Sequence, residues 1–240
     1  MSDTTGRLIA ECYTEMNRGN PGDVAFYQAA CAGTESVLEL GVGSARVLSR
    51  LTIRTRVGVD NDSSMLELAR EHLEDDVPLL LGDMAHLELG RRFDRVLIPY
   101  NGLLCVPRES QLACLIGART HLAEGGELLF DIYLGDDLDE DAGEVTSEPE
   151  EDEPEFLVEM TVADRVFRVF EQNSWWPSKQ LMDVHYLLQT PDETLSLRID
   201  IAHHYLRKVQ VEGLLRAAGF ERFTWGALPG GEQMTIRASS

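Results

Sequence analysis

The chain has 240 residues, of which 43% are hydrophobic, enough for one good-sized domain with an ordinary core. Its formal net charge of -21 argues against nucleic acid as a partner. No apolar run approaches the roughly 20 residues that cross a bilayer, and the first residues lack the pattern of a secretion signal. The four cysteines are scattered without a CxxC pair, so we expect no disulfide, no metal site and a cytoplasmic location.

Apolar strands and amphipathic helices alternate over the first half of the chain. The strands are expected at Val37–Leu40, Arg56–Asp60, "VPLLLGD", "DRVLIPY" and "LLFDIYL", and the helices at Ser44–Leu51, Ser63–Glu74 and Arg108–Leu122, the last ended by "EGGE". Asp62 or Ser63 is the expected N-cap of the second helix. This alternation predicts an α/β fold with a parallel sheet covered on both faces.

Acidic residues are concentrated in one segment. Between Gly135 and Glu155 there are 12 acids and no base. Such a block repels itself, so we expect a solvated, mobile loop over residues 135–155. The alternative is an entrance that raises the local concentration of a cationic substrate.

After this acidic segment, apolar residues recur at every second position. Four runs alternate apolar and polar residues: "EFLVEMTV", "RVFRVFEQN", "LMDVHYLLQ" and "TLSLRIDIAHHYL". A helix, "VQVEGLLRAAGF", and a closing strand pair, "RFTWGAL" and "EQMTIRA", follow. The pattern predicts a four-stranded antiparallel meander inserted before the last helix of the α/β domain.

Ligands in a parallel α/β sheet gather at the carboxyl ends of the strands. After the first strand, Gly41 and Gly43 allow close approach of a ligand to the backbone, but Arg46 stands where a dinucleotide loop has its third glycine. After the second strand, Asp60 lies 19 residues beyond Gly41, where a carboxylate can bind ribose hydroxyls. Asp83 follows the third strand. These residues predict an adenosine cofactor more readily than a diphosphate.

Five motifs, in order and suitably spaced, carry a resemblance to a known family. They are "VLELGVGSARV", "VGVDNDSSMLELAR", "LLLGDMAHLELGRRFDRV", "NGLL" and "HLAEGGELLFDIYL". The sequence is similar to class I S-adenosylmethionine-dependent methyltransferases, with their Rossmann-like, mostly parallel seven-stranded sheet. The inserted meander resembles the small-molecule branch that includes aminosugar and glycine N-methyltransferases. The sequence departs from the family at Ala45, in place of a third glycine, and at Asn61, where an apolar residue often packs on adenine.

The resemblance implies a cofactor site for S-adenosylmethionine, with S-adenosylhomocysteine as the product. Glu39 would lie near the methionine amino group, Gly41 and Gly43 beside the methionyl part and ribose, and Asp60 on the ribose. The remaining expected cofactor residues are Asn61, Asp83, Met84, Pro99 and Asn101.

An amine acceptor must reach the methyl group neutral, which requires desolvation or a nearby base. We expect Tyr13, which matches the lid tyrosine of the resembled branch, His204 and Tyr100 to act as catalytic or orienting groups, with His185 and His203 as further candidates. Because His203 and His204 are adjacent on one strand, they point to opposite faces, and His204 lies on the more polar one.

The resemblance also divides the chain. It implies a methyltransferase core over residues 1–134 and 207–240 with an N-terminal lid over about residues 1–32, and an inserted sheet over residues 156–206 that covers the substrate site. An exposed edge of this meander suits a homodimer.

The leading hypothesis is methyl transfer to a small-molecule amine. Two alternatives keep the fold: an O-methyltransferase of a small metabolite, and a non-catalytic protein that binds S-adenosylmethionine. A nucleotide-dependent oxidoreductase is disfavoured by Arg46 and Asp83.

Overall fold

The computed structural model describes residues 2–136 and 150–239. The chain divides into two compact units. The core unit comprises Gly19–Leu134 and Arg207–Ser240, and the sheet unit comprises Met1–Arg18 and Gly135–Leu206. Most of the predicted acidic loop, residues 137–149, lies outside the described residues.

The core unit is built on a seven-stranded sheet. Its strands are β1 (Ser36–Leu40), β2 (Thr55–Asp60), β3 (Leu79–Leu81), β4 (Phe93–Ile98), β5 (Leu122–Ile132), β11 (Arg222–Ala227) and β12 (Met234–Ser239). They lie in the order β11-β12-β5-β4-β1-β2-β3, and the pairs from β5 to β3 are parallel. The predicted mostly parallel, seven-stranded Rossmann-like sheet is therefore confirmed. Strand order reverses between β1 and β4, which makes their carboxyl ends the expected ligand-binding edge.

Four helices belong to this unit: α2 (Asp23–Ala30), α3 (Ser63–His72), α4 (Arg108–Thr120) and α5 (Lys208–Ala217). The predicted N-cap of α3 is confirmed, because the Asp62 carboxylate accepts the backbone N–H of Ser64 at 2.7 Å. Helix α4 ends at Thr120, and the "EGGE" segment lies within β5 rather than in a separate turn. Buried apolar side chains from β1, β5 and α2 form a shared core, among them Val37, Tyr27 and Leu129.

The predicted helix Ser44–Leu51 is wrong. Only a single 3-10 turn forms there, Leu48–Arg50. Gly43 and Ala45 both adopt left-handed backbone, with φ of 52° and 63°. A helix needs consecutive residues with right-handed backbone. These two left-handed residues therefore prevent a helix at the start of the segment, and only one turn forms after them. The apolar spacing that suggested a helix instead buries Val47, Leu48 and Leu51 in the core.

The sheet unit contains the predicted antiparallel meander. Its strands are β6 (Glu150–Glu151), β7 (Glu155–Val162), β8 (Arg165–Trp176), β9 (Leu181–Gln189) and β10 (Ser196–His204). Strands β7 to β10 pair antiparallel with their neighbours in sequence, which confirms the meander, and the two-residue β6 also pairs with β8. The predicted alternation holds on β10, where Leu197 and Ile199 are buried and Arg198 and Asp200 are exposed.

The N-terminal helix α1 (Ser2–Met16) is grouped with this sheet, whereas the sequence analysis assigned the whole N-terminal segment to the core. Its buried Cys12 joins the apolar cluster formed by Phe167, Val169 and Leu188, and Leu8 packs against the same cluster. The apolar stripe of α1 covers the buried face of the sheet, because both faces remove hydrophobic surface from water by packing together. Only the part of the expected lid after Arg18 belongs to the core unit.

Two properties follow from the described residues. None of their helices is long and apolar enough to cross a membrane. Within the same residues, no group of three or more His, Cys, Asp or Glu side chains is placed to hold a metal ion.

Candidate functional site

The turn after β1 lies at the point where strand order reverses. Gly41 and Gly43 have φ of 69° and 52°, a region that favours glycine. A Cβ on Gly43 would meet open space, whereas one on Gly41 would lie 3.2 Å from Cε of Met84. The turn therefore presents bare backbone, and Met84, predicted from the third strand, packs beside it.

Glu39 is a deeply buried ionisable group of this edge. Its side chain points from β1 into the protein and is only 2% exposed, and Oε2 has no hydrogen-bond partner within the described part of the chain. Burial raises the pKa of Glu39 to about 8, Arg46 acts in the opposite direction, and Asp60 raises it further. A buried carboxylate oxygen without a donor is costly unless a ligand supplies one, so Glu39 is suited to receive a cationic donor.

Asp60 connects the end of β2 to the glycine turn. Its Oδ2 accepts the backbone N–H of Gly43 at 2.7 Å, and its Oδ1 accepts that of Asp62 at 3.0 Å. Burial raises the pKa of Asp60, although these N–H groups act in the opposite direction. Each carboxylate oxygen retains a second lone pair, so Asp60 can still accept hydroxyl groups of a ligand.

The residues expected around adenine are, as a group, more exposed to solvent than Glu39 and Asp60. Asp83 accepts the N–H of Ala85 at 2.8 Å and contacts Nδ1 of His86 at 2.9 Å, and these hydrogen bonds hold its pKa below the ordinary value. Asp83 and Asn61 are both exposed, and Met84 is half-buried. This end of the edge is therefore open, and Asp83 is a carboxylate able to accept hydrogen bonds.

The segment after β4 is held in an unusual conformation. Tyr100 and Asn101 have left-handed φ values of 54° and 58°, just after the buried Pro99. Asn101 uses its side-chain oxygen to accept the N–H of Tyr133 at 2.9 Å. Burial raises the pKa of Tyr100, so its phenol stays protonated near neutral pH and is a donor rather than a base.

Asp131 fixes this conformation, and it was not among the residues predicted from the sequence. It is fully buried at the end of β5, accepts the Tyr27 hydroxyl at 2.6 Å and the N–H of Tyr100 at 2.9 Å, and contacts the Asn20 amide at 3.4 Å. In the sequence, "LLFDIYL" indicates a strand and belongs to the fifth family motif, but neither gives Asp131 a role. The signal that could have found Asp131 is a single acid inside that apolar strand, since a buried acid needs dedicated partners.

Two of the three expected catalytic residues belong to the sheet unit. Tyr13 on α1 packs at the margin of the apolar cluster that contains Phe167. His204 is half-buried on the same face of β10 as Arg198 and Asp200, as predicted from the alternation. Burial lowers the pKa of His203 to about 4, with a further effect from His204, so His203 is neutral at physiological pH.

His185, a further candidate, forms a chain of polar contacts across the sheet. Its Nδ1 lies 2.7 Å from Oδ1 of Asp200, and its Nε2 lies 3.3 Å from Oγ of Ser174. Hydrogen bonds from His185 and Arg198 outweigh the effect of burial and lower the pKa of Asp200. These contacts fix the orientation of the imidazole ring.

Part of the core unit matches a described family profile. The profile, described as a methyltransferase domain, matches residues 37–126, which include β2 to β4, β1 from Val37 onwards and all the expected cofactor residues. A search of curated proteins found no match.

Solved structures share the fold over nearly the whole chain. The CcbJ methyltransferase from Streptomyces caelestis is 20% identical, with a TM-score of 0.71 over 92% of this chain and 90% of that one. An S-adenosylmethionine-dependent methyltransferase from Clostridium acetobutylicum is 16% identical, with a TM-score of 0.70 over 96% and 97% of the two chains. The amino pentose methyltransferase CalS10 from Micromonospora echinaspora is 17% identical, with a TM-score of 0.69 over 95% of each chain. Residues 37–126 therefore form a methyltransferase domain, and the chain has the class I methyltransferase fold that its motifs predicted.

Proposed function

We propose that this protein transfers a methyl group from S-adenosylmethionine to an amine of a small molecule. The observation that carries the proposal is Glu39, a buried carboxylate with an unpartnered Oε2 beside the bare backbone of Gly41 and Gly43. An ammonium group satisfies such an oxygen and also neutralises its charge. The methionyl part of S-adenosylmethionine carries that group, and so does S-adenosylhomocysteine, the product.

The other residues of the edge fit the rest of the cofactor. Asp60 has lone pairs available for the ribose hydroxyls, next to the turn it fixes. Met84 lies against Gly41 and offers a polarisable side chain to a purine face. We assign Asp83 to the exocyclic amine of adenine, and Asn61, Pro99 and Asn101 to the remaining wall of the same site.

The bound cofactor supplies a methyl group on a sulfonium, which needs little further activation. The chain has to align the nucleophile with the S–CH3 bond and exclude water. The amine would have to be neutral before it accepts the methyl group, so its proton would first pass to solvent or to a nearby base. Tyr13 and His204 remain our candidates for orienting the amine, whereas the raised pKa of Tyr100 suits it to donate a hydrogen bond.

An amine acceptor is supported by two observations. Proteins of the same fold are described as an amino pentose methyltransferase, a sugar N-methyltransferase and a glycopeptide N-methyltransferase. The net charge of -21 also produces a field that attracts cations. A homodimer and a cytoplasmic location stay predictions.

Titration calorimetry with S-adenosylmethionine and S-adenosylhomocysteine tests the cofactor assignment. We expect micromolar binding of both and none of a nicotinamide dinucleotide. Mass spectrometry then measures methyl transfer to panels of small amines and hydroxyl compounds. Binding of neither adenosyl ligand would refute the proposal. Turnover of hydroxyl compounds alone would indicate an O-methyltransferase, and binding without any turnover would indicate a non-catalytic binding protein.

Asp60→Ala tests the ribose position, with the exposed Asp76→Ala as the matched control. We expect Asp60→Ala to weaken S-adenosylhomocysteine binding by about 1–3 kcal/mol, because charged hydrogen bonds to the ribose are lost. Asp76→Ala should leave the affinity unchanged. Equal affinities of the two variants would contradict the assignment.

A further inference from the structure

The chain leaves β4 through two residues with left-handed backbone. Pro99 has no N–H to continue the ladder between β4 and β5, and Tyr100 and Asn101 then adopt φ of 54° and 58°. This conformation is uncommon outside glycine, and asparagine tolerates it better than tyrosine does. It persists only where surrounding contacts hold it, and at the ligand-binding edge of a sheet it points to a function.

Asp131 supplies those contacts from the end of β5. Its Oδ1 accepts the N–H of Tyr100 at 2.9 Å, and its backbone oxygen accepts the N–H of Asn101 at 3.1 Å. The same Oδ1 accepts the Tyr27 hydroxyl at 2.6 Å, which fixes the carboxylate against α2. Asp131 and Tyr27 are both 0% exposed, so these bonds are shielded from water. Both N–H groups of the left-handed pair therefore end on one buried residue.

The Tyr100 ring connects this anchor to the turn after β1. Its centroid lies 5.3 Å from Cζ of Arg46, a cation–π distance. Nη2 of Arg46 lies 2.7 Å from Oδ2 of Asp23, which also accepts the backbone N–H of Asn20 at 3.1 Å. The Asn20 amide in turn contacts Oδ2 of Asp131 at 3.4 Å. These contacts form a closed ring that starts and ends at Asp131, so the position of the Tyr100 ring is fixed from two sides.

Strand order places Tyr100 at one end of the proposed cofactor site. The order β5-β4-β1-β2-β3 puts the residues assigned to adenine after β3, to ribose at the end of β2 and to the ammonium group on β1. Neighbouring strands lie about 4.8 Å apart, so β5 is about 14 Å from β2. Tyr100, at the end of β4, is therefore next to the methionyl part of the site, and Asp131 is remote from the adenosine part.

We propose that Asp131 is a positioning residue that holds the backbone of Tyr100 in its left-handed conformation, so that the Tyr100 ring closes the methionyl end of the cofactor site. The inference rests on the proposed function. Asp131 has no exposed surface, so it acts through Tyr100 rather than by touching the cofactor. Loss of its carboxylate should affect ligands that carry the methionyl part and spare those that lack it.

Two ligands separate this role from general support of the fold. S-adenosylhomocysteine carries the amino-acid end, and 5′-methylthioadenosine lacks it. Calorimetry would measure the affinity of both ligands for the unsubstituted protein and for four variants: Asp131→Ala, Asp131→Asn, Tyr100→Ala and Tyr27→Phe. Thermal melting would show whether each variant is folded.

We expect Asp131→Ala to bind S-adenosylhomocysteine at least about tenfold more weakly, while its affinity for 5′-methylthioadenosine stays within about twofold. Tyr100→Ala should show the same selective loss, because it removes the ring that Asp131 positions. Asp131→Asn should retain most of the affinity, because its side-chain oxygen can still accept both donors.

Tyr27→Phe is the matched control. It removes one hydrogen bond to the same carboxylate but leaves the bond from the N–H of Tyr100. We expect a lower melting temperature, because a buried hydrogen bond is lost, and an affinity for S-adenosylhomocysteine within about threefold of the unsubstituted protein.

Equal losses of both ligands in Asp131→Ala would overturn the inference, as would an unchanged affinity for S-adenosylhomocysteine in Asp131→Ala or Tyr100→Ala. A selective tenfold loss in Tyr27→Phe would also overturn it, since Tyr100 keeps its acceptor there. If Asp131→Ala does not fold, Tyr100→Ala and Asp131→Asn decide: unchanged affinity in the first, or a selective loss in the second, would overturn it.

The same measurements distinguish this inference from the proposed function. If the unsubstituted protein does not bind S-adenosylhomocysteine, the proposed function is refuted and the inference with it. If it binds and the variants at Asp131 and Tyr100 match it, only the inference is refuted.

Discussion

At the scale of single residues, burial decides how three carboxylates of one sheet edge behave. Glu39 is almost fully buried, and its pKa rises to about 8. Asp60 is partly buried, and its pKa rises less than its burial alone would cause, because N–H groups of Gly43 and Asp62 solvate its oxygens. Asp83 is exposed, and hydrogen bonds lower its pKa. Of these three groups, only Glu39 has a buried oxygen without a hydrogen-bond partner among the described residues, so it is the one whose anion a cationic donor would stabilise most.

Replacing Glu39 with Gln should change how stability depends on pH. The folded pKa of about 8 lies above the ordinary value of 4.5, so the folded state holds a proton that the unfolded chain releases. The stability contributed by this group is fully present below about pH 4.5 and is lost as the pH rises through about 8. We expect Glu39→Gln to become the more stable protein at high pH, by a few kcal/mol. Urea unfolding at several pH values measures this difference.

The exposed Glu124→Gln, which removes the same charge from β5, is the control for this comparison. Its stability should follow that of the unsubstituted protein across the pH range. A parallel course for Glu39→Gln as well would show that Glu39 is not buried as described.

The sequence indicated the acidic residues at the carboxyl ends of the strands, but not the buried residues that fix the neighbouring backbone through hydrogen bonds. The positions of Glu39, Asp60 and Asp83 could be predicted because each lies at or just after the carboxyl end of a strand whose apolar run is visible. Tyr27 and Asp131 are 104 residues apart, and their contact exists only after folding. A tyrosine in an apolar helix and an acid in an apolar strand each have ordinary explanations, so neither signals the other.

At the scale of elements, hydrophobic period predicted the sheets more reliably than it predicted short helices. A period of two persists over eight or more residues in β7 to β10, and each strand adopted the expected pairing. The stretch Ser44–Leu51 has apolar residues at helical spacing over only two turns. There the left-handed backbone of Gly43 and Ala45 determined the structure, because propensity in a short segment is easily overridden.

Two neighbouring residues of β8 test which face of the sheet contributes more to the free energy of unfolding. Phe167 is fully buried in the cluster that includes Cys12 of α1, whereas Val166 is 38% exposed on the opposite face. We expect Phe167→Ala to cost about 3–5 kcal/mol of unfolding free energy through lost burial and a cavity. Val166→Ala should cost no more than about 0.5 kcal/mol. Chemical denaturation measures both, and similar costs would show that the face assignment is wrong.

At the scale of the whole molecule, the charge of -21 acts on every approaching ligand. Such a field attracts cations, repels anions and is screened by salt over about 10 Å at 0.1 M ionic strength. Its effect depends on the net charge of the ligand and is therefore separable from the local contacts of Glu39 and Asp60.

The two cofactor forms differ in this net charge, and salt should therefore change their relative affinity. S-adenosylmethionine carries one more positive charge than S-adenosylhomocysteine, whose ammonium and carboxylate cancel. We expect the affinity for S-adenosylmethionine to fall about two- to fivefold between low and high salt, because screening removes the long-range attraction. The affinity for S-adenosylhomocysteine should change much less, since the proposed pairing of its ammonium group with the buried Glu39 would be only weakly screened. Calorimetry over a series of sodium chloride concentrations measures both. Equal salt dependence of the two ligands would mean that the acidic field does not reach the cofactor site and that cofactor preference depends on short-range contacts alone.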